Sequence, residues 1–226
     1  MILRRLNNLI HPKMGEVWML HRVVEQRSTD PAQRVLEVTP DWLEQRILAY
    51  RQNGYRFVPV GNIGEMRKCV AITLDDGYRD NFTVALPLFR RLQVPFCVYV
   101  TTGFVDNQLP MWWYPGEHLG IGADELKALA ADPLCTIGAH TVGHPHLDTL
   151  SPDAQRREIE NSRRWLEALT QRPVSHFSYP HGAYNSHTVD ICRELGFLTA
   201  VTTNGCTVRS NYKPLQLDRI NIVQPD

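Results

Sequence analysis

Apolar residues fall in short runs that stop abruptly at polar ones. The clearest is Val70-Ala71-Ile72-Thr73-Leu74, which ends at two adjacent carboxylates, Asp75 and Asp76, before Gly77 breaks the chain. β-Branched runs of this length predict buried strands. Similar runs predict strands over residues 16–21, 56–60, 96–101, 135–140, 176–179, 198–202 and 219–223. Between them the apolar period changes to that of helices. Thr39-Pro40-Asp41 reads as an N-cap with Pro at the first helical position, opening a helix that stops at Gly54. Helices are also predicted over 81–92, 123–131, from the Ser151 cap through Leu169, and over 186–196. Pro87 predicts a kink or an early break in the second of these. Residues 102–122, rich in Gly and Pro, carry Met111-Trp112-Trp113-Tyr114, and so aromatic a loop suggests a binding wall or lid.

Alternating strands and helices predict βα units with parallel strands, in a barrel or an open sheet. A full eightfold barrel needs ~250 residues. A chain of 226 predicts a small or incomplete one, and no repeat or linker divides residues 1–226 into more than one domain. The strand ends His21, Asp75-Asp76, His140 and Tyr179 are polar. In barrels and α/β sheets, the C-terminal strand ends are where active sites are built.

Charge narrows the partners. Lys plus Arg equals Asp plus Glu at 24 each, so no net basic field exists to recruit nucleic acid. Five scattered cysteines without C-x-x-C read as free thiols in a reducing compartment. The basic N-terminus lacks a continuous apolar run and a small-residue cleavage site, and no stretch has the ~18 apolar residues of a membrane span. The expectation is a cytoplasmic protein.

Two like charges at the end of a buried strand require a cation or a proton to resolve their repulsion. The stretch Gly138-Ala139-His140-Thr141-Val142-Gly143-His144 offers the cation a home, because His140 and His144 have the i, i+4 spacing of paired ligands. Two imidazoles and one carboxylate make a three-ligand site with an open fourth position, the pattern of catalytic zinc. The other carboxylate then remains to take a proton from water. The competing reading makes the histidines loop residues and the acids partners in salt bridges. A third motif, Phe177-Ser178-Tyr179-Pro180-His181-Gly182, predicts a tight turn that aims the Tyr179 N–H into the site as an oxyanion donor, or an ordinary strand-terminating turn.

T-L-D-D-G (73–77), H-T-x-x-H (140–144) and Y-P-x-G (179–182), in this order, resemble the polysaccharide deacetylases of the NodB-homology type, carbohydrate esterase family 4. The resemblance runs over nearly the whole chain. It implies a distorted, incomplete (β/α) barrel of about seven strands and a divalent metal, usually zinc. It further implies hydrolysis of an N-acetyl group on an amino sugar, releasing acetate. It assigns Asp75 as the general base and Asp76, His140 and His144 as metal ligands. Thr141 would hold the loop between the histidines, and Tyr179 would supply the oxyanion donor.

The sequence departs from that pattern in two places. The family's arginine in the third motif is missing, and Arg219 on the last strand is the replacement expected. The family's late catalytic histidine is also missing. His21 is preferred as the acid over His181, though a hydrogen-bonded strand-end histidine without a catalytic role is the competing reading. Trp112 and Trp113 either stack on sugar rings, with Tyr179 and His181 completing a substrate-binding wall, or anchor the loop. Without an export signal, the expected substrate is an N-acetylated sugar or glycan intermediate, with peripheral membrane contact if it is lipid-linked. Hydrolysis of a non-sugar amide and a non-catalytic carbohydrate-binding role are the alternatives.

Overall fold

The structure, a computed structural model, describes residues 11–226. Residues 1–10, most of the basic N-terminus read above, lie outside the described residues. In chain order the first elements are β1 (Lys13–Leu20), β2 (Arg22–Val23), α1 (Pro31–Arg34), β3 (Glu37–Val38), α2 (Pro40–Gln52), β4 (Arg56–Phe57) and β5 (Cys69–Leu74). Then come α3 (Leu86–Leu92), β6 (Phe96–Val100), α4 (Ala123–Ala131), β7 (Cys135–Ala139), α5 (Pro152–Thr170) and β8 (His176–Ser178). The chain finishes with α6 (Ser186–Glu194), β9 (Thr199–Val201), β10 (Val208–Arg209) and β11 (Ile220–Asn221).

Strands β1, β5, β6, β7, β8 and β9 lie side by side in that order, all parallel. The C-terminal segment closes the curl. Leu217 bridges to Val201 of β9, and β11 pairs in parallel with β1 through Trp18↔Ile220. One short seventh segment thus joins both edges, giving a curled α/β half-barrel of seven strands. The predicted 219–223 strand shrinks to two residues because this segment divides its hydrogen bonds between two neighbours. The predicted 56–60 strand also shortens, since Pro59 cannot donate to the ladder and a 3₁₀ turn, Val60–Asn62, follows it.

The pleat sorts the core into two layers. On β5, Val70, Ile72 and Leu74 face outward under the helices, while Cys69 and Ala71 face the barrel interior with Val17, Cys97, Tyr99, Val201 and Leu217. Full burial of each outward side chain stabilises the fold by roughly 1.5–3 kcal/mol. Strand β5 therefore reads as a continuous apolar run because both faces are covered.

Pro87 shapes the next helix as its chemistry requires. It lacks the N–H that a continuous helix would bond to the Thr83 carbonyl. The chain therefore enters α3 through a π-helical turn, Asn81–Ala85, in which the Leu86 N–H reaches the Asn81 carbonyl, and Pro87 stands near the start of α3. The cysteines are free, four of them buried and Cys206 exposed. Among the described residues no helix is long and apolar enough to cross a membrane.

Candidate metal centre and active site

The two carboxylates part company at a turn. The Asp75 N–H donates to the Leu20 carbonyl at 3.0 Å, one residue beyond the β1–β5 ladder. Asp76 (φ +74°) and Gly77 (φ +80°) then take successive left-handed conformations. Aspartate tolerates that region, and glycine suits the second position because any other side chain would be strained at that φ, with its Cβ pressed to 3.1 Å from Val100 Cγ1. The adjacent side chains consequently reach different partners.

Asp76 meets the histidines. Its Oδ1 lies 3.5 Å from His140 Nε2 and 3.3 Å from His144 Nε2, and the ligand atoms of the three residues all lie within 4.8 Å of one another. That oxygen is fully buried and makes no hydrogen bond of good geometry among the described residues. His140 Nδ1 lies 2.7 Å from the Ser178 carbonyl, which can only accept. Nδ1 therefore carries the hydrogen and Nε2 is left to face Asp76, the orientation typical of a ligating histidine. Burial alone would raise the Asp76 carboxyl, but the neighbouring His140 and His144 hold it well below the usual carboxylate range. One anionic oxygen and two imidazole nitrogens fit a divalent cation.

The loop between the histidines is bent and braced. Thr141 (φ +66°) and His144 (φ +59°) are both left-handed. Thr141 Oγ1 accepts from the His144 N–H at 3.0 Å, and the Thr141 and Val142 carbonyls accept from Thr102 and Gly103. Glu158 of α5 accepts from the Val142 and Gly143 N–H groups, both at 2.9 Å on the same oxygen. Sequence reasoning missed Glu158, one charge among many on that helix.

Asp75 turns to Arg219. The guanidinium donates to both carboxylate oxygens, at 2.7 and 2.6 Å, and also reaches Thr73 Oγ1, Ser178 Oγ and the Thr202 carbonyl. Arg219 has no solvent exposure; it stands just before β11, among the buried groups Thr73, Ser178 and Thr202. Burial works to raise the Asp75 carboxyl, and the Arg219 charge and hydrogen bonds outweigh it and hold the group low. Ser178, which sequence reasoning passed over, donates to Asp75 Oδ2 at 3.3 Å. It is the inward-facing residue of β8 between two outward ones, so the alternation of the strand was the signal available.

That alternation corrects the expectation for Tyr179. Its side chain faces outward, is buried against Phe177 and Tyr184, and donates its hydroxyl to the Leu215 carbonyl at 2.8 Å. Its N–H continues the β8–β9 ladder to the Val201 carbonyl at 3.2 Å. Neither group is available to an oxyanion or a sugar. Pro180 has no N–H and Gly182 donates to the Tyr179 carbonyl, which leaves the His181 N–H as the donor of this turn without an acceptor among the described residues.

A pocket of about 190 Å³ brings most of the predicted residues together: Asp75, Asp76, His140, His144, His21, His181, Trp112 and Trp113. His21 follows β1, and its ring neither approaches Asp76 as a ligand nor joins the aromatic contacts of the other histidines. Burial, reinforced by Arg219 and His140 and opposed by the charges of Asp76 and Asp75, lowers its pKa. His181 packs on His144 (4.4 Å between centroids) and stacks on His146 (3.9 Å), and burial with the neighbouring imidazoles lowers its pKa to about 4. The tryptophans divide. Trp113 donates Nε1–H to Tyr78 at 2.6 Å and packs against His144, whereas Trp112 is 72% exposed at the pocket mouth.

Comparison with known proteins gives the same family. A sequence model described as "Polysaccharide deacetylase" matches residues 63–200, more than half of the chain. A protein of Bacillus subtilis (strain 168), YxkH, which bears the family's name, is 23% identical over 93% of this chain and 72% of its own length. The poly-beta-1,6-N-acetyl-D-glucosamine N-deacetylase of Escherichia coli (strain K12) is 22% identical over 82% of this chain, which spans only 33% of that enzyme's length. The solved structure of the Streptococcus pyogenes deacetylase PplD in complex with acetate superposes with a TM-score of 0.80 at 25% identity, covering 94% of this chain and 93% of that one. IcaB from Ammonifex degensii gives a TM-score of 0.78 at 22% identity, covering 93% and 92%, which supports the fold. The half-barrel, the strand-end motifs and the family match agree: the chain belongs to the polysaccharide deacetylase family, carbohydrate esterases of the NodB type.

Proposed function

We propose that this protein is a metal-dependent carbohydrate N-deacetylase, which hydrolyses an N-acetyl amide on an amino sugar of a glycan or glycan precursor and releases acetate. One observation carries the reading. A buried carboxylate converges with two imidazoles, and a second carboxylate beside it is ion-paired away from them. The name of the E. coli relative supports N-acetylated glucosamine polymers as the substrate class.

Asp76, His140 and His144 would hold the divalent cation, with zinc suited to a three-ligand site of this kind. When bound, it supplies Lewis-acid polarisation of the amide carbonyl and acidifies water. Asp75, kept anionic by Arg219, accepts the proton of the attacking water. The N–H of His181 is the free backbone donor for the developing oxyanion, the role expected from sequence of Tyr179. The proton taken up by Asp75 is returned to the leaving nitrogen, with His21 as the pocket imidazole that would relay it, so that the carbonyl carbon gains water oxygen as the C–N bond breaks to acetate and amine. Trp112 offers an exposed aromatic face to the pyranose ring.

The test is metal analysis of the purified protein, with acetate release from N-acetylglucosamine oligomers before and after chelation. The reading predicts one bound divalent ion per chain and release that chelation abolishes and zinc restores. No bound metal and no acetate release would overturn it. Metal binding with turnover of non-sugar amides alone would reassign the substrate.

A further inference from the structure

Glu158 stands outside the pocket, yet one of its oxygens accepts two consecutive N–H groups, from Val142 and Gly143, both at 2.9 Å. These residues lie between the two proposed ligands, His140 and His144, in a loop that cannot be helical because Thr141 and His144 are left-handed. Backbone strain of this kind is costly and persists only where the surroundings enforce it. The loop has few internal means to enforce it. Thr141 ties the His144 N–H, but among the described residues no group bonds to the buried His144 Nδ1. His140 is oriented by the Ser178 carbonyl, whereas His144 has no such hydrogen-bond partner among the described residues and is placed by the course of its backbone and by packing against Trp113 and His181. A carboxylate that accepts adjacent N–H groups fixes that course strongly, because charge-assisted bonds are about twice as strong as neutral ones.

We infer that Glu158 is a positioning residue of the metal centre: from α5 it clamps the His140–His144 loop and holds His144 in ligating position. The inference rests on the proposed reading of Asp76, His140 and His144 as metal ligands.

The test measures zinc affinity of the wild type and of Glu158→Ala, Glu158→Gln and Glu160→Ala, by competition with a chromogenic chelator. Unfolding of each metal-free protein is measured in parallel. Glu160 lies on the same helix and pairs with Arg164, so its variant reports general damage to α5. The expected result is a 10–100-fold loss of zinc affinity in Glu158→Ala, the usual effect of removing an orienting partner of a ligand. Glu158→Gln, which keeps an acceptor oxygen, should recover part of it, and Glu160→Ala should match the wild type. The visible spectrum of the cobalt-loaded Glu158→Ala should change as His144 shifts. If Glu158→Ala binds zinc as tightly as the wild type, the inference is overturned, whatever happens to stability. Equal losses in Glu158→Ala and Glu160→Ala also overturn it. A wild type that binds no zinc overturns the ligand assignment itself, an outcome distinct from both.

Discussion

Arg219 grips Asp75 through two parallel hydrogen bonds of 2.7 and 2.6 Å, joining positions 144 residues apart in the chain with no solvent reaching the arginine. The pair has two consequences, one for acidity and one for stability. An anionic Asp75 is required of a base, and Arg219 is what keeps it anionic despite burial. Replacing Arg219 with Met should raise the Asp75 pKa, because burial then acts without the opposing charge. The acid limb of kcat/KM should then move to higher pH, since the working form is the deprotonated one. Leaving a buried carboxylate unpaired should also destabilise the fold by about 3–5 kcal/mol. Arg219→Lys, which loses the planar fork, should fall between. A pH–rate profile and urea unfolding check both effects; an unmoved acid limb contradicts the assignment.

Metal should stabilise the fold through the three converging residues. Zinc at 100-fold over its Kd should add ~2.7 kcal/mol to unfolding. Asp76→Asn should abolish that gain, and calorimetry with and without zinc reads it directly.

The two adjacent tryptophans should behave differently. Trp112 is exposed at the pocket mouth, so Trp112→Ala should raise KM for a sugar substrate while leaving kcat nearly unchanged and stability within about 0.5 kcal/mol. Trp113→Ala removes the bond to Tyr78 and the packing on His144, and should cost stability, roughly 2–4 kcal/mol. Steady-state kinetics and denaturant unfolding separate them.

His176 gives a pH dependence independent of the site. Burial lowers its pKa from the ordinary 6.5 to about 4, with Nδ1 2.8 Å from Thr199 Oγ1. Above pH 6.5 the folded and unfolded forms are both neutral, and this group's contribution is fully present. Between 6.5 and 4 the unfolded chain takes up a proton that the folded one refuses, so stability falls with pH by up to roughly 1.4 kcal/mol per unit. His176→Gln should flatten the stability curve in that window in metal-free protein. Identical slopes for the two proteins would contradict it.

Much of this was legible in the sequence because strand ends are punctuated by chemistry. A run as apolar as Val70–Leu74 that ends in Asp75-Asp76 announces both a buried strand and a charge problem, and H-x-x-x-H supplies the partner. The barrel closure was harder to read, because the segment 217–221 shares its hydrogen bonds between two edges and looks like one weak strand. The Tyr179 error has a specific cause. Y-P-x-G fixes a turn but not which N–H is already in the ladder; the outward Phe177 and Tyr179 and inward Ser178 decide that. Glu158 was hidden because its function depends on a loop approaching α5 in space, which helical spacing does not encode.

The proposed division of labour between Asp75 and Asp76 follows from the left-handed turn that sends these neighbours in opposite directions. Metal content and acetate release, measured together on Asp75→Asn, test it most directly. The prediction is a variant that still binds one zinc ion per chain and releases acetate from N-acetylglucosamine oligomers at least ~10²-fold more slowly. A variant that keeps wild-type release, or that loses its metal, would contradict the assignment.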